Sequence, residues 1–84
     1  MLINEKIKAV RNFKGIRQKT IAEALGLTVQ AYSLKERGKR PITTSELETI
    51  ANQLDVPITI FFEDNFNVKF NDIFPKPNKK KVVS

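Results

Sequence analysis

Apolar residues recur three or four positions apart along most of the chain, in segments that short polar breaks separate. This spacing places the apolar side chains of each segment on one face of an α-helix. It predicts four helices and one further short helix, at 4–13, 18–25, 29–37, 43–54 and 58–62. Each helix has one apolar stripe, so the stripes are expected to pack around a single core.

Residues 18–40 contain two of these helices and the short turn between them. Ala22 is small enough to let the following helix approach closely, and Gly26 can adopt the left-handed backbone angles that end a helix. Thr28 is a suitable N-cap for the second helix, because its hydroxyl accepts a hydrogen bond from an early amide. Tyr32 is expected to point inward and anchor that helix. This arrangement is typical of a helix-turn-helix, which binds DNA.

The other helix ends carry recognisable signals. Asn4 is the expected N-cap of the first helix, and Gly38 lies just past the end of the third. Thr43 and Glu46 have the spacing of a capping box at the start of the fourth helix. Pro57 ends that helix, because the residue before a proline disfavours helical angles.

After residue 64 the apolar pattern changes to a period of two, which predicts a half-buried strand over 65–71. A single strand is unstable in water, so pairing with the same strand of a second subunit is the economical solution. We therefore expect a homodimer formed through 58–74. The residues expected at its interface are Ile60, Phe61, Phe66, Val68 and Phe70.

Length and composition fit one small all-α domain with an extension. The 84 residues, 40% of them hydrophobic, suffice for one core built mainly from helices. We expect a compact four- to five-helix domain over 1–64 and a C-terminal extension over 65–84. The last part of the extension, 75–84, is basic, contains prolines and is expected to be disordered.

The absence of cysteine and histidine argues against catalysis, because it removes the usual zinc ligands and most nucleophile–base pairs. We expect no enzyme activity, cofactor or metal. The N-terminal residues are too polar for a signal peptide, and no apolar run is long enough to span a membrane. These features predict a cytoplasmic protein.

The net charge of +6 is unevenly distributed along the chain. Residues 11–40 hold eight basic and two acidic side chains, residues 41–64 hold five acidic side chains and no basic one, and residues 65–84 hold five basic and one acidic. Positive charge therefore falls on the predicted helix-turn-helix and on the tail. This distribution suits a polyanionic partner such as double-stranded DNA.

One ordered set of residues extends the motif beyond its turn. It consists of Ile16, Arg17, Gln18, Ile21, Ala22, Gly26, Leu27, Thr28, Ser33, Glu36, Arg37, Gly38, Pro41, Leu47, Ile50, Ala51 and Leu54. With this set, residues 7–62 resemble the lambda repressor and Cro-like family of regulators, also called XRE-type. The resemblance implies a lambda-repressor-like fold and a bacterial or phage-encoded regulator, associated with the nucleoid when it is bound to DNA.

The resemblance also implies roles for individual residues. Base reading falls to the start of the third helix, where Gln30 is the best candidate because its carboxamide can pair bidentately with adenine. The residues implied in base reading are Thr28, Val29, Gln30, Ser33 and Leu34. Those implied in phosphate contacts are Arg17, Gln18, Lys19, Arg37, Lys39, Arg40, Thr43 and Thr44. Arg11 and Glu36 match positions that form a buried structural ion pair in the family.

Two positions depart from the family pattern. Lys35 stands where an apolar residue is usual, so either its stem covers the edge of the core with the ammonium in water, or the third helix is rotated. The second alternative would change the role of Leu34. Arg17 stands at the N-cap of the second helix, where serine or threonine is usual, and it cannot accept the capping hydrogen bond.

Three functions are compatible with these features to different degrees. The leading one is a transcriptional regulator, most simply a repressor, that binds an inverted-repeat operator as a dimer through the third helix. The alternative in the same class is an antitoxin that regulates its own operon and uses the apolar region after residue 56 to hold a toxin. A protein-interaction module without DNA binding fits less well, because Arg37, Lys39 and Arg40 keep that region positive.

Overall fold

The computed structural model describes residues 1–64, and every regular element within them is helical. The elements are α1 (Ile3–Phe13), α2 (Gln18–Leu25), α3 (Val29–Glu36), α4 (Thr44–Leu54) and a 3₁₀ helix (Ile58–Phe62). The predicted all-α class and the order of the elements are confirmed. The predicted strand over 65–71 and the basic tail lie outside the described residues.

The core lies where the apolar stripes of all five elements meet. Tyr32 from α3 and Phe61 from the 3₁₀ helix are its largest fully buried side chains. Burial of such a side chain stabilises the fold by about 1.5–3 kcal/mol. The other buried apolar residues are Ile7, Val10, Ile21, Ala22, Leu47, Ile50, Ala51, Leu54, Val56 and Ile60.

The turn and cap signals of α2, α3 and α4 give the predicted geometry. Gly26 ends α2 with a φ of 71°, and the Thr28 hydroxyl accepts from the Ala31 N–H at 3.1 Å. At α4 the Glu46 N–H donates to the Thr43 hydroxyl at 3.1 Å, and the Thr43 N–H donates to the Glu46 carboxylate at 2.9 Å. These local hydrogen bonds fix where α3 and α4 begin.

The prediction for the start of α1 is wrong. The helix begins at Ile3, and Leu2 occupies the N-cap position, where its N–H donates to the Glu5 carboxylate at 2.7 Å. Asn4 lies inside the helix, and its Nδ2 donates to the Glu36 carbonyl at 2.9 Å. The side chain therefore satisfies a carbonyl at the end of α3 instead of an amide at the start of its own helix.

Two lysines, Lys6 on α1 and Lys14 just after it, donate hydrogen bonds to backbone carbonyls at the ends of the last two helices. Lys6 is buried, and its Nζ donates to the carbonyls of Phe61 at 3.2 Å and Glu63 at 2.8 Å. Lys14 Nζ donates to the Asp55 carbonyl, at the end of α4, at 3.3 Å. A cation at the carbonyl end of a helix is favourable, because the last carbonyls lack intrahelical partners.

The burial of two residues in the 3₁₀ helix contradicts the prediction that they lie at a dimer interface. Ile60 and Phe61 are 2% and 0% exposed, because both side chains complete the core of their own subunit. They therefore offer no surface to a second chain. Phe62 is 58% exposed and is the apolar residue that this helix presents to solvent. Within residues 1–64, no helix has both the length and the apolar character needed to cross a membrane.

Candidate nucleic-acid interface

Helix α3 has one face in the core and the opposite face in solvent. Tyr32 and Glu36, one turn apart, are 0% and 2% exposed. Val29 and Gln30 are exposed, and Ser33 is partly exposed. Val29 and Gln30 therefore lie on the accessible side of the helix, and Ser33 lies at its edge.

The other two residues implied in base reading have different environments. Thr28 is exposed, but its hydroxyl oxygen already accepts the capping hydrogen bond, so its own O–H is the group left to donate outward. Leu34 is half-buried at the edge of the domain. Since Tyr32 points inward as predicted, α3 is not rotated out of its expected register.

A buried carboxylate joins the first three helices. Arg11 on α1 donates through Nε to Glu36 Oε2 at 2.8 Å and through Nη2 to Glu36 Oε1 at 2.9 Å. Gln18 Nε2, at the start of α2, donates to Oε1 at 3.0 Å, and the Tyr32 hydroxyl donates to Oε2 at 2.8 Å. Arg11 also donates through Nη1 to the Ile16 carbonyl at 2.8 Å.

The protonation states in this cluster follow from burial and these hydrogen bonds. Burial alone raises the pKa of Glu36, but hydrogen bonds from Arg11, Gln18 and Tyr32 outweigh it and hold the pKa below its ordinary value. Burial, together with the Glu36 carboxylate, raises the pKa of Tyr32, which stays a neutral donor. Glu36 is therefore an ionised acceptor at neutral pH, with its oxygens satisfied by protein donors.

Gln18 donates one hydrogen bond to the Glu36 cluster and is otherwise partly exposed. Its Nε2 braces the end of α3 through Glu36, which orients the carboxamide. The side chain is only partly buried, so its remaining N–H and its carbonyl oxygen stay near the surface at the start of α2. Arg17 precedes it as the N-cap and makes no capping hydrogen bond through its side chain.

The cations implied in phosphate contacts are all on the surface. Arg37 continues the outer face of α3, where its Nε lies 3.4 Å from the Ser33 carbonyl. The exposed members of this set are Arg17, Lys19, Arg37, Lys39 and Arg40. Thr43 and Thr44 are exposed at the start of α4, but the Thr43 N–H is already bound to Glu46.

Lys35 fits the first alternative, a covered stem, better than rotation of the helix, but its ammonium has protein acceptors. Its ammonium donates to the Pro41 carbonyl at 2.8 Å and lies 3.2 Å from Glu46 Oε1. The side chain is only 14% exposed. The head group is therefore held between two protein acceptors at the surface of the domain.

The chain matches the family described as Helix-turn-helix over residues 7–61. Among curated proteins, an uncharacterized HTH-type transcriptional regulator of Sinorhizobium medicae is 34% identical over 62 residues, which cover 74% of this chain and 45% of the relative. The uncharacterized HTH-type transcriptional regulator YqaE of Bacillus subtilis is 32% identical over 84 residues, which cover 99% of this chain and 68% of the relative. No solved structure matches significantly.

The chain therefore belongs to the helix-turn-helix family, in agreement with the predicted XRE-type resemblance. A transcriptional regulator in the ATPase CF(0) region of Rhodospirillum rubrum is 34% identical over 62 residues, 57% of its length. The chain spans about half the length of several of these relatives.

Proposed function

We propose that the protein is a sequence-specific DNA-binding regulator that inserts α3 into the major groove. One observation carries this proposal: α3 exposes Gln30 and the edge of Ser33 while Tyr32 and Glu36 hold its other face in the core. An anchored helix with a free polar face meets the geometric requirement for reading base edges. Relatives named as transcriptional regulators support the same function.

In this proposal the contacts divide into two classes. Gln30 reads adenine through its carboxamide, and Val29 with Leu34 contacts thymine methyl groups. The exposed cations, joined by Gln18, Thr43 and Thr44, bind phosphates and set the register without reading sequence. Since Thr43 uses its N–H in the capping box, the backbone donor proposed at the start of α4 is that of Thr44.

We further propose that the regulator acts in the cytoplasm as a two-fold dimer, with two α3 helices about 34 Å apart on an inverted repeat. A dimer bound across an operator blocks other proteins, which favours repression. The exposed ring of Phe62 supports an apolar contact at this end of the domain. Phe66, Val68 and Phe70 follow it in the chain and are proposed as the centre of the contact.

Selection of bound sites from a randomised duplex pool tests the proposal directly. We expect an enriched palindrome with half-sites about 10 base pairs apart or a multiple of that spacing, and binding that weakens steeply with salt. Binding that is absent at low salt, or that enriches no sequence, would contradict the proposal. A toxin that copurifies stoichiometrically from the native host would assign residues after 56 to that partner and favour the antitoxin.

A further inference from the structure

The loop between α3 and α4, residues 37–43, carries two of the exposed cations, Lys39 and Arg40. A cleft of about 420 Å³ lies between this loop and the start of α1, so side-chain packing beneath the loop is incomplete. The residues lining the cleft include Ile3, Asn4, Ile42 and Leu47. The backbone of Lys39 is held by its own N–H, which donates to the Leu34 carbonyl at 2.8 Å. The part of the loop that needs a further support is therefore the stretch around Arg40 and Pro41.

Lys35 supplies such a support from the last turn of α3. Its Nζ donates to the carbonyl of Pro41, the residue directly after Arg40, at 2.8 Å. The same Nζ lies 3.2 Å from Glu46 Oε1, which also accepts the N–H of Thr43 at 2.9 Å. One ammonium thus connects the end of α3, the middle of the loop and the first turn of α4.

The acceptor in this link is ionised. The Thr43 N–H is the main cause that lowers the pKa of Glu46, and the Lys35 ammonium lowers it further. The Lys35–Glu46 pair is partly shielded, with side chains 14% and 21% exposed. The bond to a neutral carbonyl adds direction to the pair, because it places the ammonium against one point of the loop backbone.

We propose that Lys35 is a positioning residue, whose ammonium holds the 37–43 loop so that Lys39 and Arg40 engage neighbouring phosphates together. This inference rests on the proposed function. It assigns Lys35 a role different from that of the exposed cations, because its own head group is already held by protein acceptors. An apolar side chain here would cover the same surface but donate nothing to Pro41.

Two substitutions of opposite charge test the role. Lys35→Met removes a positive charge and Glu46→Gln removes a negative one, so a pure charge effect on DNA affinity would have opposite signs. If the link positions the loop, both variants bind a selected duplex more weakly than the parent. Gln at position 46 keeps an acceptor for the Thr43 N–H, which preserves the capping box. The same oxygen can still accept from Lys35, so the variant weakens the link by removing the carboxylate charge that attracts the ammonium.

The salt dependence of binding separates positioning from direct contact. The logarithm of the association constant decreases with the logarithm of the salt concentration. We expect the magnitude of this slope to be smaller by about two for Lys35→Met and by about one for Lys39→Gln. In the Lys35→Met background, Lys39→Gln should then change the slope by much less than one. Additive slopes, or a fall of one or less for Lys35→Met, would overturn the inference.

Matched controls use residues with similar charge and no link to the loop. Lys8→Met on α1 and Glu48→Gln on α4 change exposed side chains, so they should move affinity only in the direction that charge dictates. Circular dichroism at the assay temperature checks that each variant is folded. If Lys35→Met does not fold, the comparison of Glu46→Gln with Glu48→Gln decides alone. Binding by Glu46→Gln that equals or exceeds that of the parent rejects the positioning role. Absence of salt-sensitive binding by the parent would instead reject the proposed function.

Discussion

Arg11 on α1 binds both carboxylate oxygens of Glu36 at the end of α3, with distances of 2.8 and 2.9 Å. The pair joins residues 25 positions apart in the chain. Gln18 and Tyr32 occupy further acceptor positions on the same carboxylate. The end of the helix proposed to read DNA is thus fixed from α1, from α2 and from its own preceding turn.

Arg11→Met should destabilise the domain strongly. The substitution leaves the Glu36 carboxylate buried and without its ion-pair partner, a loss of about 3–5 kcal/mol in the free energy of unfolding. Urea denaturation measures this change. Arg17→Met is the matched control, because that side chain is exposed and its loss should stay within about 0.5 kcal/mol. Equal effects of the two substitutions would show that the pair contributes no special stability.

Acid should remove the contribution of Glu36. Its pKa in the folded protein lies below the ordinary value of 4.5, so the ionised carboxylate stabilises the fold above that pH. The contribution is lost as the pH falls through the lower, folded-state pKa. Titration of the Glu36 side-chain carboxyl carbon by NMR should give a midpoint below 4.5. A midpoint above that value would mean that burial outweighs the three donors.

Lys6→Met should also lower the free energy of unfolding, although the stem of the lysine is preserved in shape. The variant leaves the carbonyls of Phe61 and Glu63 without the donor they have now, at a cost of about 1–3 kcal/mol. Thermal or urea unfolding measures the loss. Lys8→Met changes the same residue type two positions away on the exposed side of α1 and should be nearly neutral.

Gln30→Ala should relax sequence preference more than it weakens binding to random DNA. Loss of a bidentate contact to adenine reduces discrimination at one base pair by about 1–3 kcal/mol. Repeating the site selection with the variant should show tolerance at that position in each half-site. Gln53→Ala, on exposed α4 surface, is the control that should leave the selected sequence unchanged.

Truncation after Asp64 should yield a folded monomer. Ile60 and Phe61 are buried in the core that residues 1–64 form, and the truncated chain keeps both side chains. Sedimentation at matched concentrations compares the truncated and full chains. A truncated protein that still dimerises would contradict the proposed contact through Phe66, Val68 and Phe70. Substitution of the exposed Phe62 by Ser in the full chain tests whether the contact extends back to the 3₁₀ helix.

Local sequence signals proved sufficient for the turn between α2 and α3. Ala22, Gly26 and Thr28 act through steric size, backbone freedom and a hydrogen bond three residues away, so their roles do not depend on the rest of the fold. Ile60 and Phe61 could be predicted to be covered, since they are too apolar for water. Whether the same chain or a second one covers them depends on packing.

Long-range polar partners could not be predicted in the same way. Asn4 is a common N-cap type, yet its partner is a carbonyl 32 positions away. Nothing in the sequence around Lys6 distinguishes it from an ordinary surface lysine. Its two acceptors, the carbonyls of Phe61 and Glu63, are brought to it by the packing of the 3₁₀ helix against α1. For Lys35, the departure from an apolar residue marked the position as unusual, while the identity of its acceptors depends on the path of the loop.

Under the proposed function, the Glu36 cluster has a consequence for how DNA preference changes during evolution. The groups that hold α3 in place face inward, whereas Gln30 is exposed and Ser33 partly exposed, and neither is among the donors to the carboxylate. If α3 reads DNA as proposed, substitutions on its outward side change the preferred DNA sequence without disturbing the hydrogen bonds that hold the helix in place. Exchange of a few outward side chains is then the natural route to variants that prefer other DNA sequences.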